Sequence, residues 1–124
     1  MHIRRLDRAN LTRAYGLDSE RLLPWPVLEA PFEGAWCIVR PGQESTAHAH
    51  SEHEIFIAMR GSAVIESAGE RVPFRTGDIV HFPPNVQHHV INDTAEDFEM
   101  YSVWWDADMA TRFTARNRAD RGHA

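Results

Sequence analysis

The chain has 124 residues, 43% hydrophobic and 25% charged, the make-up of a single globular domain that buries a core without staples. Its net charge of -5 and pI near 5.9 argue against a phosphate-backbone binder, which shows a basic face, so no nucleic-acid partner is expected. The 13 basic residues are all arginine, which excludes Schiff-base chemistry through a lysine side chain.

Residues 1–31 read as an N-terminal extension wrapping the domain that follows. Leu6, Leu11 and Tyr15 fall at loose helical spacing with Gly16 as a stop. "LLPWPVLEAP" carries Pro24, Pro26 and Pro31 and is expected to be extended, along a sheet edge. The opening "MHIRRLDRAN" has no apolar h-region, and no apolar run approaches about 18 residues. No membrane partner is expected, and a reducing cytoplasm is the default. Cys37 is the single cysteine, expected to pack as a small buried hydrophobe.

Residues 32–106 have a different texture. "GAWCIVR", "EIFIAMRG", "SAVIESAGERVPF", "TGDIVHFPP", "HHVIND" and "DFEMYSVWWD" are short strand-like runs separated by Gly, Pro, Asn and Asp. Short strands with closely spaced turn signals predict an all-β sandwich or barrel, with a hairpin turn at Ser67-Ala68-Gly69. Residues 107–124 read as a C-terminal helix and tail. Met109 and Phe113 are placed to pack on the barrel, and Asp108 and Arg112 to pair along the helix.

The eight histidines are unevenly spread. In "TAHAHSEHEIF", His48, His50, Glu54 and Phe56 share even parity, so on a strand they face one way, while His53 faces the other. Two imidazoles and a carboxylate on one side form a partial coordination shell for a first-row divalent metal. By itself the triplet reads equally as a solvated loop. A second half lies in "GDIVHFPPNVQHHVIN". There Asn85 can take a positive-φ turn position, and His88 follows it.

The order Gly42, His48, His50, Glu54, Gly61, then Gly77, Pro83, Asn85, His88, Asn92, resembles the two motifs of the cupin superfamily at every spacing. Asn85 stands where the family has Gly, and Asn tolerates the left-handed conformation. The resemblance implies a double-stranded β-helix, or jelly-roll barrel. It also implies one divalent metal held by His48, His50, Glu54 and His88, with His89 as the adjacent rival. Such a ligand set leaves open positions for substrate, and its softness admits Zn, Fe, Mn, Ni, Co or Cu without choosing among them; Zn is the choice only through the redox-neutral reaction implied by the narrower resemblance below. Trp36, Phe56, Tyr101 and Trp105 are expected around the substrate, with Phe56 as pocket floor. In residues 98–105 both parities are apolar, so the pocket-facing set stays open. His53, His89 and Tyr101 are candidate proton-transfer groups by type alone. Ile55, Ile57 and Met59 would face outward, suggesting a homodimer.

Within that superfamily, "EHEIFIAMRG", "GDIVHFPPNVQHHVIND" and "MYSVWWDADM" look like the cupin unit of hydrazine-forming synthetases. These work with a methionyl-tRNA-synthetase-like partner, fused or separate. That resemblance implies rearrangement of an N-hydroxylamine–amino-acid ester to form an N–N bond. An Fe(II) cupin dioxygenase, a cupin isomerase and a noncatalytic ligand-binding cupin stay open beside it.

Overall fold

Alternate burial marks the strands as half-buried. In β4 (His53–Arg60) Glu54, Phe56 and Ala58 are buried while Ile57 and Met59 are exposed. In β5 (Ser62–Ser67) Ala63 and Ile65 are buried. The computed structural model describes residues 1–122. The other strands are β1 (Thr12–Ala14), β2 (Leu17–Arg21), β3 (Phe32–Val39), β6 (Glu70–Arg75), β7 (Ile79–Phe82), β8 (His88–Ile91) and β9 (Phe98–Trp105). One sheet has six strands in the order β1-β2-β3-β9-β4-β7 and the other three in the order β6-β5-β8. Every ladder is antiparallel. Cys37, Val39, Phe56, Phe98 and Met100 from the large sheet meet Ala63, Ile65, Phe74 and Val90 from the small one in a shared core. The result is the expected all-β jelly roll.

The β5–β6 turn falls where expected. Ala68 (φ 51°) and Gly69 (φ 79°) are the two central residues between paired Ser67 and Glu70, the signature of a type I′ hairpin. The loose helical spacing of Leu6, Leu11 and Tyr15 does not correspond to a helix. Arg8–Asn10 makes a single 3₁₀ turn, and β1 and β2 form a second hairpin across Tyr15 (φ 54°) and Gly16 (φ 77°). A glycine with positive φ closes a helix or a I′ turn equally well, so the sequence pattern does not separate the two. A Cβ at Gly16 would lie 2.3 Å from the Glu44 carbonyl oxygen, so the close approach also needs glycine. Residues 12–21 therefore extend the large sheet, while the first seven residues and the proline-rich stretch after β2 run as loop.

The C-terminal helix α1 spans Ala107–Gly122. Asp106 caps it, its carboxylate accepting the Met109 N–H at 2.8 Å. The packing expected of this helix is not found: Met109 is 39% and Phe113 59% exposed. Arginines and small residues fill the rest of the helix, so it has no continuous apolar stripe to bury. Residues 123–124 of the expected tail lie outside the described residues. Among the described residues no helix is long and apolar enough to cross a membrane.

Candidate metal centre

The two histidine-bearing segments are joined through their backbones. His48 and His88 form an isolated antiparallel bridge, with His48 N–H donating to the His88 carbonyl at 3.3 Å and the reverse bond at 3.1 Å. His48 and His50 precede β4 and lie in irregular chain, which corrects the expectation of one strand carrying all three early donors. They converge because the bridge fixes the first histidine and the β7–β8 turn fixes the second. In that turn Asn85 takes φ 65°, and its N–H donates to the His50 carbonyl at 2.7 Å. Asn92 holds the far end of β8. It is fully buried; its amide nitrogen donates to the Val39 and Glu96 carbonyls at 2.8 and 2.7 Å, and its oxygen accepts from Thr94 N–H and Oγ1.

One donor atom from each of His48, His50, Glu54 and His88 lies within 4.8 Å of all the others. The ring orientations follow from hydrogen bonds. The carbonyls of Thr46, Glu52 and Val86 lie 2.9, 3.1 and 2.9 Å from Nδ1 of His48, His50 and His88. A carbonyl only accepts, so each Nδ1 carries its hydrogen and each neutral ring keeps an Nε2 lone pair for the centre. Two of those nitrogens, on His50 and His88, face the same Glu54 Oε1 at 3.1 and 2.8 Å. Lone pairs aimed at a carboxylate oxygen require a cation between them, protons or a metal ion. The donor set therefore fits a divalent ion.

Glu54 is 5% exposed. Burial alone would raise its carboxyl pKa, but the close polar contacts of His88, Ser102 and His50 outweigh it and hold the carboxyl below its usual value. Ser102 Oγ donates to Glu54 Oε2 at 2.6 Å. His88 is 1% exposed side chain, stacked on Phe82 at 4.0 Å and 5°, with Phe56 edge-on at 5.7 Å. These rings fix the imidazole and keep water from its buried side.

His48, His50 and Glu54 open into a cavity of about 450 Å³, walled by Leu17, Cys37, Phe56, Met100 and Trp104, with Tyr15, Arg21, Ser45 and Glu52 also lining it; the buried His88 does not line it. Phe56 lines this cavity. Cys37 donates to the Ala35 carbonyl at 3.7 Å, and burial, added to by the Glu54 charge, pushes its thiol up to about 12. It is a neutral wall residue. A second cleft of about 510 Å³ runs between β6 and β7, lined by Ile65, Val72, Phe74 and Ile79, away from the donor cluster.

Other expected site residues lie elsewhere. On β9 the pocket side is Met100, Ser102 and Trp104, so Tyr101 and Trp105 face outward. Tyr101 packs over Gly34, and burial raises its phenol. Trp36 alternates with cavity-lining Ala35 and Cys37 and also faces away. His53 is outward, as its parity implied. It stacks on Trp105 (5.6 Å, 10°), and its Nδ1 shares a 2.9 Å hydrogen bond with His81 Nε2. His89 points opposite to His88, beside Glu66 on the paired strand. None of Trp36, Trp105, His53, His89 and Tyr101 lines the cavity. The residues missed are Ser102 and Trp104, on the strand whose parity stayed open, and Tyr15, Leu17 and Arg21, in the segment read as an extension. The even parity of Met100, Ser102 and Trp104 was visible; its pairing with Glu54 was not.

Comparison with known proteins agrees with this architecture. A family model described as a cupin domain matches residues 35–104. The crystal structure of a Cupin 2 conserved barrel domain protein from Salinispora arenicola CNS-205 is 54% identical with a TM-score of 0.84, covering 94% of this chain and 98% of that one. The plu4264 protein of Photorhabdus luminescens is 44% identical with a TM-score of 0.83, covering 94% and 97%. Protein YjlB of Bacillus subtilis (strain 168) is 40% identical over 61 residues, 46% of this chain and 36% of that protein, so the match spans about a third of that relative's length.

Proposed function

The chain belongs to the cupin domain family, and from that premise we propose that it is a metal-dependent enzyme of small-molecule metabolism. The observation that carries the reading is the convergence of three Nε2 lone pairs and one carboxylate at the inner end of an open cavity. A bound divalent ion there would supply Lewis acidity and open positions for a chelating ligand. Thr46, Glu52 and Val86 orient the rings through their carbonyls, Ser102 fixes the carboxylate, and Phe56 and Phe82 exclude water from behind His88. A volume of about 450 Å³ suits a metabolite-sized substrate.

The specific reaction we propose is formation of an N–N bond from an N-hydroxylamine–amino-acid ester. The ester's amino nitrogen attacks the hydroxylamine nitrogen, the N–O bond breaks, the carboxylate leaves and the amine loses a proton. No external oxidant is needed. Support comes from the sequence strings now located on β4, β7–β8 and β9, the strands that build the site. With His53, His89 and Tyr101 outside the cavity, the cavity-lining side chains beyond the donor cluster that would take the proton are Glu52 and Tyr15. Zinc as the ion, a methionyl-tRNA-synthetase-like partner that makes the ester, a cytoplasmic location and a homodimer complete the proposal. Exposed Ile57, Met59 and Ile79 on the outer face of β4 and β7 support the last.

The test is turnover of the amino-acid ester of N6-hydroxylysine by zinc-loaded protein without dioxygen. A hydrazine product is expected. An absolute requirement for Fe(II) and dioxygen would overturn the reaction and favour a dioxygenase.

A further inference from the structure

We propose that Arg21, laid over Trp104, anchors a carboxylate on the substrate, so that the cavity selects an organic acid spanning from the donor cluster to the guanidinium. This rests on the metal-dependent reading above. Arg21 shares the inner face of β2 with Leu17 and Ser19, and all of them line the cavity. Arg21 pairs with Ala35, Ala35 with Ser102, and Ser102 with Phe56, a row that crosses the sheet. Neighbouring strands lie about 4.8 Å apart, which puts the Arg21 backbone about 10 Å from that of Ser102. Ser102 is the residue that holds Glu54. The side chain between them is the methyl group of Ala35, so the span stays open.

The guanidinium lies 5.5 Å from the Trp104 ring centroid. That is a cation–π distance, and it leaves the guanidinium N–H groups for a planar, two-point acceptor such as a carboxylate. Arg8, Arg13, Arg40 and Arg71 are each taken by carboxylates. Arg21 is exposed and, like Arg5, Arg60 and Arg75, is in no ion pair among the described residues; what sets it apart is that it is the one arginine lining the cavity. Glu33, diagonal to it, already accepts the backbone N–H groups of Leu23 and Gly34. An unpaired cation facing a cluster built for a cation is served by a ligand carrying its own negative charge.

The experiment titrates the zinc-loaded full chain and its Arg21→Ala and Arg21→Lys variants by calorimetry. The probes are glutarate, its monoamide and inorganic phosphate, and zinc content is measured on each protein. Wild type is expected to bind glutarate about ten- to hundredfold more tightly than the monoamide, the range of a charge-assisted hydrogen bond. Arg21→Ala should lose that preference at unchanged zinc content, and Arg21→Lys should keep part of it. Equal affinities in wild type, no saturable binding, or a preference retained by Arg21→Ala would overturn the inference. So would phosphate binding more tightly than glutarate in an Arg21-dependent way. A wild type that holds zinc without the preference sinks this inference alone, whereas one that takes up no zinc sinks the reading beneath it.

Discussion

Replacing Ser102 with alanine should weaken metal binding without unfolding the protein. Ser102 is 4% exposed, and its hydroxyl donates to Glu54 Oε2 at 2.6 Å. A hydrogen bond to a charged acceptor contributes about 1.5–3 kcal/mol, which is about ten- to hundredfold in an equilibrium constant. Without it, Oε2 of a buried carboxylate has no partner, and the carboxylate is free to turn away from the two histidines that share Oε1. Loss of groups that orient metal ligands typically falls in the same ten- to hundredfold range. The hydroxyl is also among the contacts that hold the Glu54 carboxyl low against burial. Removing it raises the folded-state value. The stability that ionised Glu54 gives the metal-free protein is present above its unfolded value and lost as pH falls through the folded one, so in the variant it disappears at a less acidic pH. Zinc affinity measured against a chromophoric chelator at neutral pH, with thermal melts as a fold control, reads the effect. A change under about twofold, or about 0.4 kcal/mol, in a folded variant would refute the assigned role of Ser102.

Asn92→Ala removes four hydrogen bonds from a fully buried side chain and takes the Asn92 partner from the Val39 carbonyl and the Thr94 N–H, while the Glu96 carbonyl keeps Thr94 Oγ1. A loss of about 3–5 kcal/mol is expected in urea denaturation, and an unchanged midpoint would contradict it. Asn85 sits at φ 65°, so Asn85→Ala should cost about 1–2 kcal/mol, with Asn85→Gly nearly neutral; equal costs would argue against a conformational role. Asp18 is held below its usual 3.8 chiefly by the hydrogen bond from Arg40, with Arg13 adding and burial opposing. Its pairs stabilise the fold above the unfolded value, and that contribution is lost as pH falls through the folded one. Asp18→Asn should therefore cost about 0.5–1 kcal/mol at neutral pH, a gap that closes in acid below 3.8. A gap that stays constant down to the acid limit of folding would show the pairs to be inert.

The strands from residue 32 onward were legible because each is short, alternating and bounded by residues that cannot continue it. The four clustered residues were legible only through the resemblance of both motifs, taken together, to the cupin pattern, and His48 and His50 reach the cluster through a backbone bridge rather than a shared strand. The first 31 residues were misread where Gly16 served two geometries, and with them went Arg21 and Tyr15 from the cavity. Trp36, Tyr101 and Trp105 were misplaced for a different reason. β3 and β9 sit mid-sheet with apolar residues on both faces, so alternation carries no sign until a partner supplies it. Ser102 contacting Glu54 supplies that sign.

The central claim is that one divalent ion is held by His48, His50, Glu54 and His88. X-ray absorption at the metal edge of the zinc-loaded protein tests it most directly. One ion per chain is expected, in a shell of N/O ligands at about 2.0–2.2 Å, with the outer-shell scattering of three imidazoles falling to two in His88→Ala. A shell without imidazole scattering, or the same shell in His88→Ala, would contradict it.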